Sequence, residues 1–116
     1  MELITTELVQ RSKELGTQED VPEGSKIVIA KLFDPGGGAT WLITDLSEYE
    51  DYQLSYGFSY LGPAMAHFAE WGTIDIDEIE ELELPHKIER DLHWKEKPMH
   101  QARYEMDPKF FTKETE

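Results

Sequence analysis

The 116-residue chain predicts an α+β fold: a mainly antiparallel sheet of four or five strands, a short N-terminal helix and a short acidic helix near 76–83. Three observations carry this. Two apolar runs flank an Asp-Pro-Gly-Gly-Gly turn at residues 34–38, as in a hairpin. Large residues alternate with small or polar ones from Tyr52 to Tyr60. Helical spacing appears only in short stretches, none long enough to cross a bilayer.

The elements follow in order. Thr5 or Thr6 can cap a helix over 5–15, where Ile4, Leu8 and Leu15 repeat at helical spacing and Gly16 supplies the C-terminal stop. Residues 17–25 are polar and read as a loop. Lys26 to Phe33 reads as a strand covered on both faces, and Ala39 to Thr44 as its return, with Trp41 and Ile43 together. Asp45 to Asp51 reads as an acidic loop. The stripe Tyr52, Tyr56, Phe58 and Tyr60 should pack inward, against the N-terminal helix. Gly62-Pro63 ends that strand. Residues 66–74 read as a further strand, with a helical turn at 64–69 as the other reading. Asp75 caps the acidic helix through the backbone near Glu78, and Ile76, Ile79 and Leu82 form its apolar row. Ile88 to Trp94 reads as a last strand, with Ile88, Arg90, Leu92 and Trp94 inward. The expected organisation is one domain over 1–98 and a tail over 99–116. Trp41, Tyr56, Phe58, Trp71 and Trp94 are the expected aromatic core.

Charge is the most uneven feature. The chain has 25 Asp and Glu against 11 Lys and Arg, a net charge of −14. From Leu32 to His86 there are 12 acids and no Lys or Arg, so this stretch holds most of the net charge. Phosphate-backbone and anionic-membrane binding both need clustered bases, so neither is expected. The first residues lack the basic start and apolar core of a signal peptide, so a cytoplasmic location is expected. Cys is absent, which excludes disulfides, thiolate metal sites and thiol nucleophiles.

Catalytic signatures are missing. The triple glycine joins strand to strand and lacks the Lys-Ser/Thr of a phosphate loop. No serine sits in a Gly-x-Ser-x-Gly elbow. No catalytic residue and no cofactor is therefore assigned. Glu89, Asp91 and His93 would share one face of a strand and could together hold a hard divalent ion; the alternative is a solvated outer face. Arg90, on the inward face, would bind an anion or pair with a carboxylate of another element. The candidate interaction surface comprises Asp75, Asp77, Glu78, Glu80, Glu81 and Glu83, with Asp45, Glu48, Glu50 and Asp51.

The segments Lys26–Pro35 and Ala39–Thr44, then Glu70-Trp71-Gly72 and Ile88-Glu89-Arg90-Asp91-Leu92 with Lys95 and Pro98, make up a recognisable series. This series resembles the domain-of-unknown-function 2958 family of small bacterial, plasmid and phage proteins over roughly residues 3–98. The resemblance implies a self-contained domain in a mobile-element setting, and no activity. The expected function is a non-enzymatic acidic module that binds a protein, one with a basic or nucleic-acid-binding surface. The alternative is a small metal-assisted enzyme or ligand-binding domain using the 89–93 strand.

Overall fold

A computed structural model describes residues 2–49, 52–81 and 87–111, with backbone alone at 47–49 and 52–54. Helix α1, Thr6–Leu15, begins at Thr5, whose hydroxyl accepts the Leu8 N–H at 3.2 Å. It ends at Gly16, whose φ of 71° suits a residue without Cβ. The strands are β1 Ile27–Val28, β2 Ala30–Phe33, β3 Thr40–Tyr49, β4 Tyr52–Tyr60, β5 Glu70–Asp75, β6 Glu89–Arg90 and β7 Lys97–Pro98. A five-stranded antiparallel sheet has the order β5-β4-β3-β2-β6, and β1 pairs with β7 beside it. Helix α2 is Ile76–Glu80 and α3 is Met99–Met106. Asp34 builds the hairpin turn, its carboxylate accepting the Gly36 N–H at 3.0 Å. No helix among the described residues is long and apolar enough to cross a membrane.

Both faces of the sheet are covered. On one, Leu32, Trp41, Ile43 and Ile74 pack with Leu8, Val9 and Leu15 of α1 and with Ile76 and Ile79 of α2. On the other, Leu42, Phe58 and Tyr60 pack with Met99, Ala102 and Met106 of α3. Phe58 and Tyr60 of the aromatic stripe therefore meet the C-terminal helix, not the N-terminal one as expected; the Tyr52 side chain lies outside the described residues. The region read as a tail supplies that helix, and Met99 is fully buried. Its spacing, Met99, Ala102 and Met106, is that of one helical face. Of the expected aromatic core, Trp41 and Phe58 are buried, Trp71 and Trp94 are half-buried, and Tyr56 is 38% exposed.

Two further expectations are corrected. The acidic stretch from Asp45 is not a loop as far as Tyr49: it continues β3, paired with β4 out to Tyr49 opposite Tyr52. Residues 50 and 51 lie outside the described residues. The last strand stops at Arg90. The Asp91 carboxylate accepts the His93 N–H at 2.9 Å and so turns the chain, leaving Leu92 exposed. Of the expected acidic helix, α2 is shown to Glu80, with Glu81 as its C-terminal cap; residues 82 and 83 lie outside the described residues.

The sheet is not regular. In β3, Ile43 faces Gly57 and Asp45 faces Tyr56, so Thr44 is an inserted residue without a partner, a bulge. An inserted residue reverses which parity faces the core. Ile43 before it and Leu46 after it consequently reach the same apolar cluster. Gly57 sits directly across from this distortion. A Cβ there would lie 2.0 Å from the Leu42 carbonyl oxygen, so the backbones approach closer than any side chain allows.

Gly57→Ala is expected to destabilise the fold by about 3 kcal/mol, because the clash is with backbone and not with a movable side chain. An unchanged urea midpoint would contradict this close approach. A second prediction concerns Tyr60, whose hydroxyl donates to the Asp107 carboxylate just past α3. Burial, with Asp107 beside it, pushes the Tyr60 phenol up to about 12. Unfolded tyrosine titrates near ~10, so the stabilisation is complete below that pH and is lost as pH rises through 12. Tyr60→Phe should cost on the order of 1 kcal/mol at neutral pH and flatten the loss of stability above about pH 10, read by denaturant titrations across that range.

Candidate functional site

A concavity lies beside the bulge, where the loop after α1 crosses β3 and β4. It has a volume of about 680 Å³, and its lining includes Gln18, Lys26, Asp45, Leu46, Tyr56 and Trp71. Its construction starts from Gln18, which is 4% exposed. The Gln18 amide nitrogen donates to the carbonyls of Ile27 and Thr44, both at 2.9 Å, and its oxygen accepts the Ile27 N–H at 2.6 Å. The Gln18 backbone N–H donates to Asp45 Oδ1 at 3.1 Å. One side chain thus ties the loop to β1 and to the bulge. A buried amide left unpaired costs about 1–3 kcal/mol, so this set of partners holds the loop in one place.

Asp45 emerges from the bulge half-buried. Besides Gln18, it has the Thr44 hydroxyl 2.9 Å from its Oδ2, and that hydroxyl also lies 3.1 Å from the Tyr56 carbonyl. Both carboxylate oxygens therefore have protein donors at hand. On α1, Ser12 Oγ accepts the Leu46 N–H at 2.9 Å, which fastens the helix to β3 just past the bulge.

Lys26 is the unusual member. It is 6% exposed, and among the described residues it is the only buried charged side chain. Its ammonium donates to the Gln18 carbonyl and stands over the Trp71 ring, 5.2 Å from the centroid. Among the described residues no carboxylate lies within ion-pair distance of it. Tyr56 meets Trp71 edge to face, with centroids 4.9 Å apart. The pair forms an aromatic wall beside the cation, a favourable arrangement for a desolvated ammonium.

The residues singled out in the sequence fall elsewhere, apart from Asp45. Asp75, Asp77, Glu78, Glu80 and Glu81 are exposed on the end of β5 and on α2, whose Ile76 and Ile79 anchor it to the core. Asp75 Oδ1 accepts the Glu78 N–H at 3.1 Å, the expected cap. The side chain of Glu48, and Glu50, Asp51 and Glu83 altogether, lie outside the described residues. Arg90 does share the Leu32 face, and its guanidinium donates to the backbone carbonyls of Glu2 and Leu3, fixing the segment before α1.

Glu89, Asp91 and His93 do not line up along a strand, because pairing ends at Arg90. Asp91 and His93 border a smaller polar hollow of about 310 Å³ together with Lys31, Lys95, Lys97 and Glu105, so three lysines crowd the place a cation would take. Among the described residues, no group of three or more His, Asp and Glu side chains gathers as a metal site. The sequence does not single out Gln18 or Lys26 as site residues, and it places Tyr56 and Trp71 in the core and not in a cleft wall. The available signal was Lys26 itself, a lysine heading an apolar strand just before the long base-free segment.

A family model described as a protein of unknown function, DUF2958, matches residues 3–104, which includes most of α3. Neither the curated proteins nor the solved structures offer a match to the chain.

Proposed function

We propose that this chain, which belongs to the DUF2958 family, is a binding domain that takes a small molecule with a flat apolar part into the cleft beside the bulge. The observation that carries this reading is the aromatic wall. Tyr56 remains 38% exposed and Trp71 half-buried inside a concavity, although burial of apolar area stabilises by roughly 25 cal/mol per Å². The concavity's volume of about 680 Å³ falls within the range of small-molecule sites, roughly 300–1,000 Å³. Gln18, Ser12 and the bulge form a rigid frame, so the cleft exists before a ligand arrives.

Neutral flat probes such as 2-naphthol and indole test this. Amide resonances of Gln18, Lys26, Asp45, Leu46, Tyr56 and Trp71 should shift on titration. Tyr56→Ala should weaken binding about tenfold while altering stability by only about 1 kcal/mol. Shifts confined to other surfaces, or an affinity indifferent to Tyr56→Ala, would overturn the reading.

A second reading rests on a separate observation. Asp75, Asp77, Glu78, Glu80 and Glu81 are exposed, and none is in an ion pair with a described residue. Like charges at i, i+3 and i+4 on a helix cost a few tenths of a kcal/mol per pair. The acidic face supports a role as an interaction module for a protein with a basic or nucleic-acid-binding surface, in the mobile-element setting the family resemblance implies. Replacing Glu78, Glu80 and Glu81 with Gln should leave the melting temperature unchanged or raised and abolish salt-sensitive binding to such a partner. A fall in melting temperature with binding intact would show the acids to be structural.

A further inference from the structure

Resting on the reading of the cleft as a small-molecule site, we infer that its ligand is a monoanion, a carboxylate carried on a flat apolar body, and that the Lys26 ammonium binds that carboxylate.

An ammonium has three N–H donors. The partners shown for it are one carbonyl, that of Gln18, and the face of Trp71. Removing a charge from water is costly unless an opposite charge and hydrogen bonds replace the hydration. In this protein the opposite charge is abundant, yet among the described residues none is placed within ion-pair distance of Lys26. Asp45, the half-buried carboxylate of the same cleft, is already engaged by the Gln18 N–H and has the Thr44 hydroxyl beside it. An incoming carboxylate would supply what the fold withholds.

The other charges decide the ligand's charge. Lys13 and Glu19, both exposed, also line the cleft and offset each other to a first approximation. Lys26 and Asp45 are the inner pair. A dianion would face one buried cation, with the Asp45 carboxylate nearby to repel it. A monoanion pairs one to one with Lys26, while the Asp45 carboxylate keeps its own donors, the Gln18 N–H and the Thr44 hydroxyl. The aromatic wall sets the remainder of the ligand. Tyr56 and Trp71 stand edge to face beside the ammonium, so an apolar ring can cover them while its carboxylate reaches Lys26.

Three acids, benzoate, 2-naphthoate and indole-3-acetate, would be titrated into the wild-type protein against their uncharged amides, with binding followed by amide chemical shifts. At least one acid should bind the cleft about tenfold or more tightly than its amide, since only the acid brings the charge that makes its bond to Lys26 charge-assisted. Lys26→Met should bring that acid down to the affinity of its amide, and Lys26→Arg should restore part of the preference. Equal affinity of every acid and amide in the wild type, with shifts in the cleft, would overturn the assignment of Lys26 and leave the cleft as a site for neutral ligands. Shifts outside the cleft for acids and amides alike would overturn both readings. The comparison of acid with amide uses the wild-type chain, so it holds even if Lys26→Met fails to fold.

Discussion

The single inserted residue in β3, Thr44, governs more of this molecule than any other position. Were β3 regular, Leu46 would point away from the cluster that holds Trp41 and Ile43, and the strand could not serve one apolar face along its length. The insertion is held by polar groups that water cannot satisfy. The buried Gln18 amide takes the Thr44 carbonyl, and the Thr44 hydroxyl lies against the Asp45 carboxylate and the Tyr56 carbonyl. Gly57 across the strand lets the two backbones come together. Bulges also bend and twist the strand that carries them. Here the distortion brings Asp45 and Tyr56 to the lip of the cleft and leaves room beneath the loop after α1.

The second constraint is that the sheet has two apolar faces. One is closed by α1 and α2, the other by α3, which is anchored by Met99 and Ala102 and by the Met99 N–H bond to the Lys26 carbonyl at 2.8 Å. Trp94 reaches back from the preceding turn to donate to the Val28 carbonyl at 2.9 Å. The start of α3 is therefore tied to the same residue whose side chain enters the cleft. Any motion of α3 would bear on Lys26 directly.

The distribution of charge has a physical logic. A domain with a net charge of −14 lies in its own negative field, and exposed acids such as those of α2 are well hydrated there. That field favours a buried ammonium but supplies no hydrogen-bonded counter-charge to replace the hydration Lys26 has lost. The same field disfavours free anions in solution, so an anionic ligand would be held by local contacts in the cleft and gain nothing from long-range steering.

What the sequence determined by itself was local. The caps of α1 and α2, the Asp34 turn, the pairing of the first hairpin and the alternation of β4 depend on neighbours a few residues apart, so spacing alone reveals them. The want of bases between Leu32 and His86 is likewise plain from composition. Contacts distant in sequence were decided only by tertiary structure. Alternation through Leu92 and Trp94 suggested more strand, but Asp91 bonds the His93 N–H and pairing stops. Glu89, Asp91 and His93 consequently lost their common face. Nothing near Tyr60 announced that it and Phe58 would meet α3 rather than α1, because that choice rests on which helix has a matching apolar face. The parity change at Thr44 needed its partner strand, since a bulge exists only relative to the register opposite. Lys26 and Gln18, eight residues apart in a polar stretch, acquire their bond because the loop folds over the sheet end and excludes water from both.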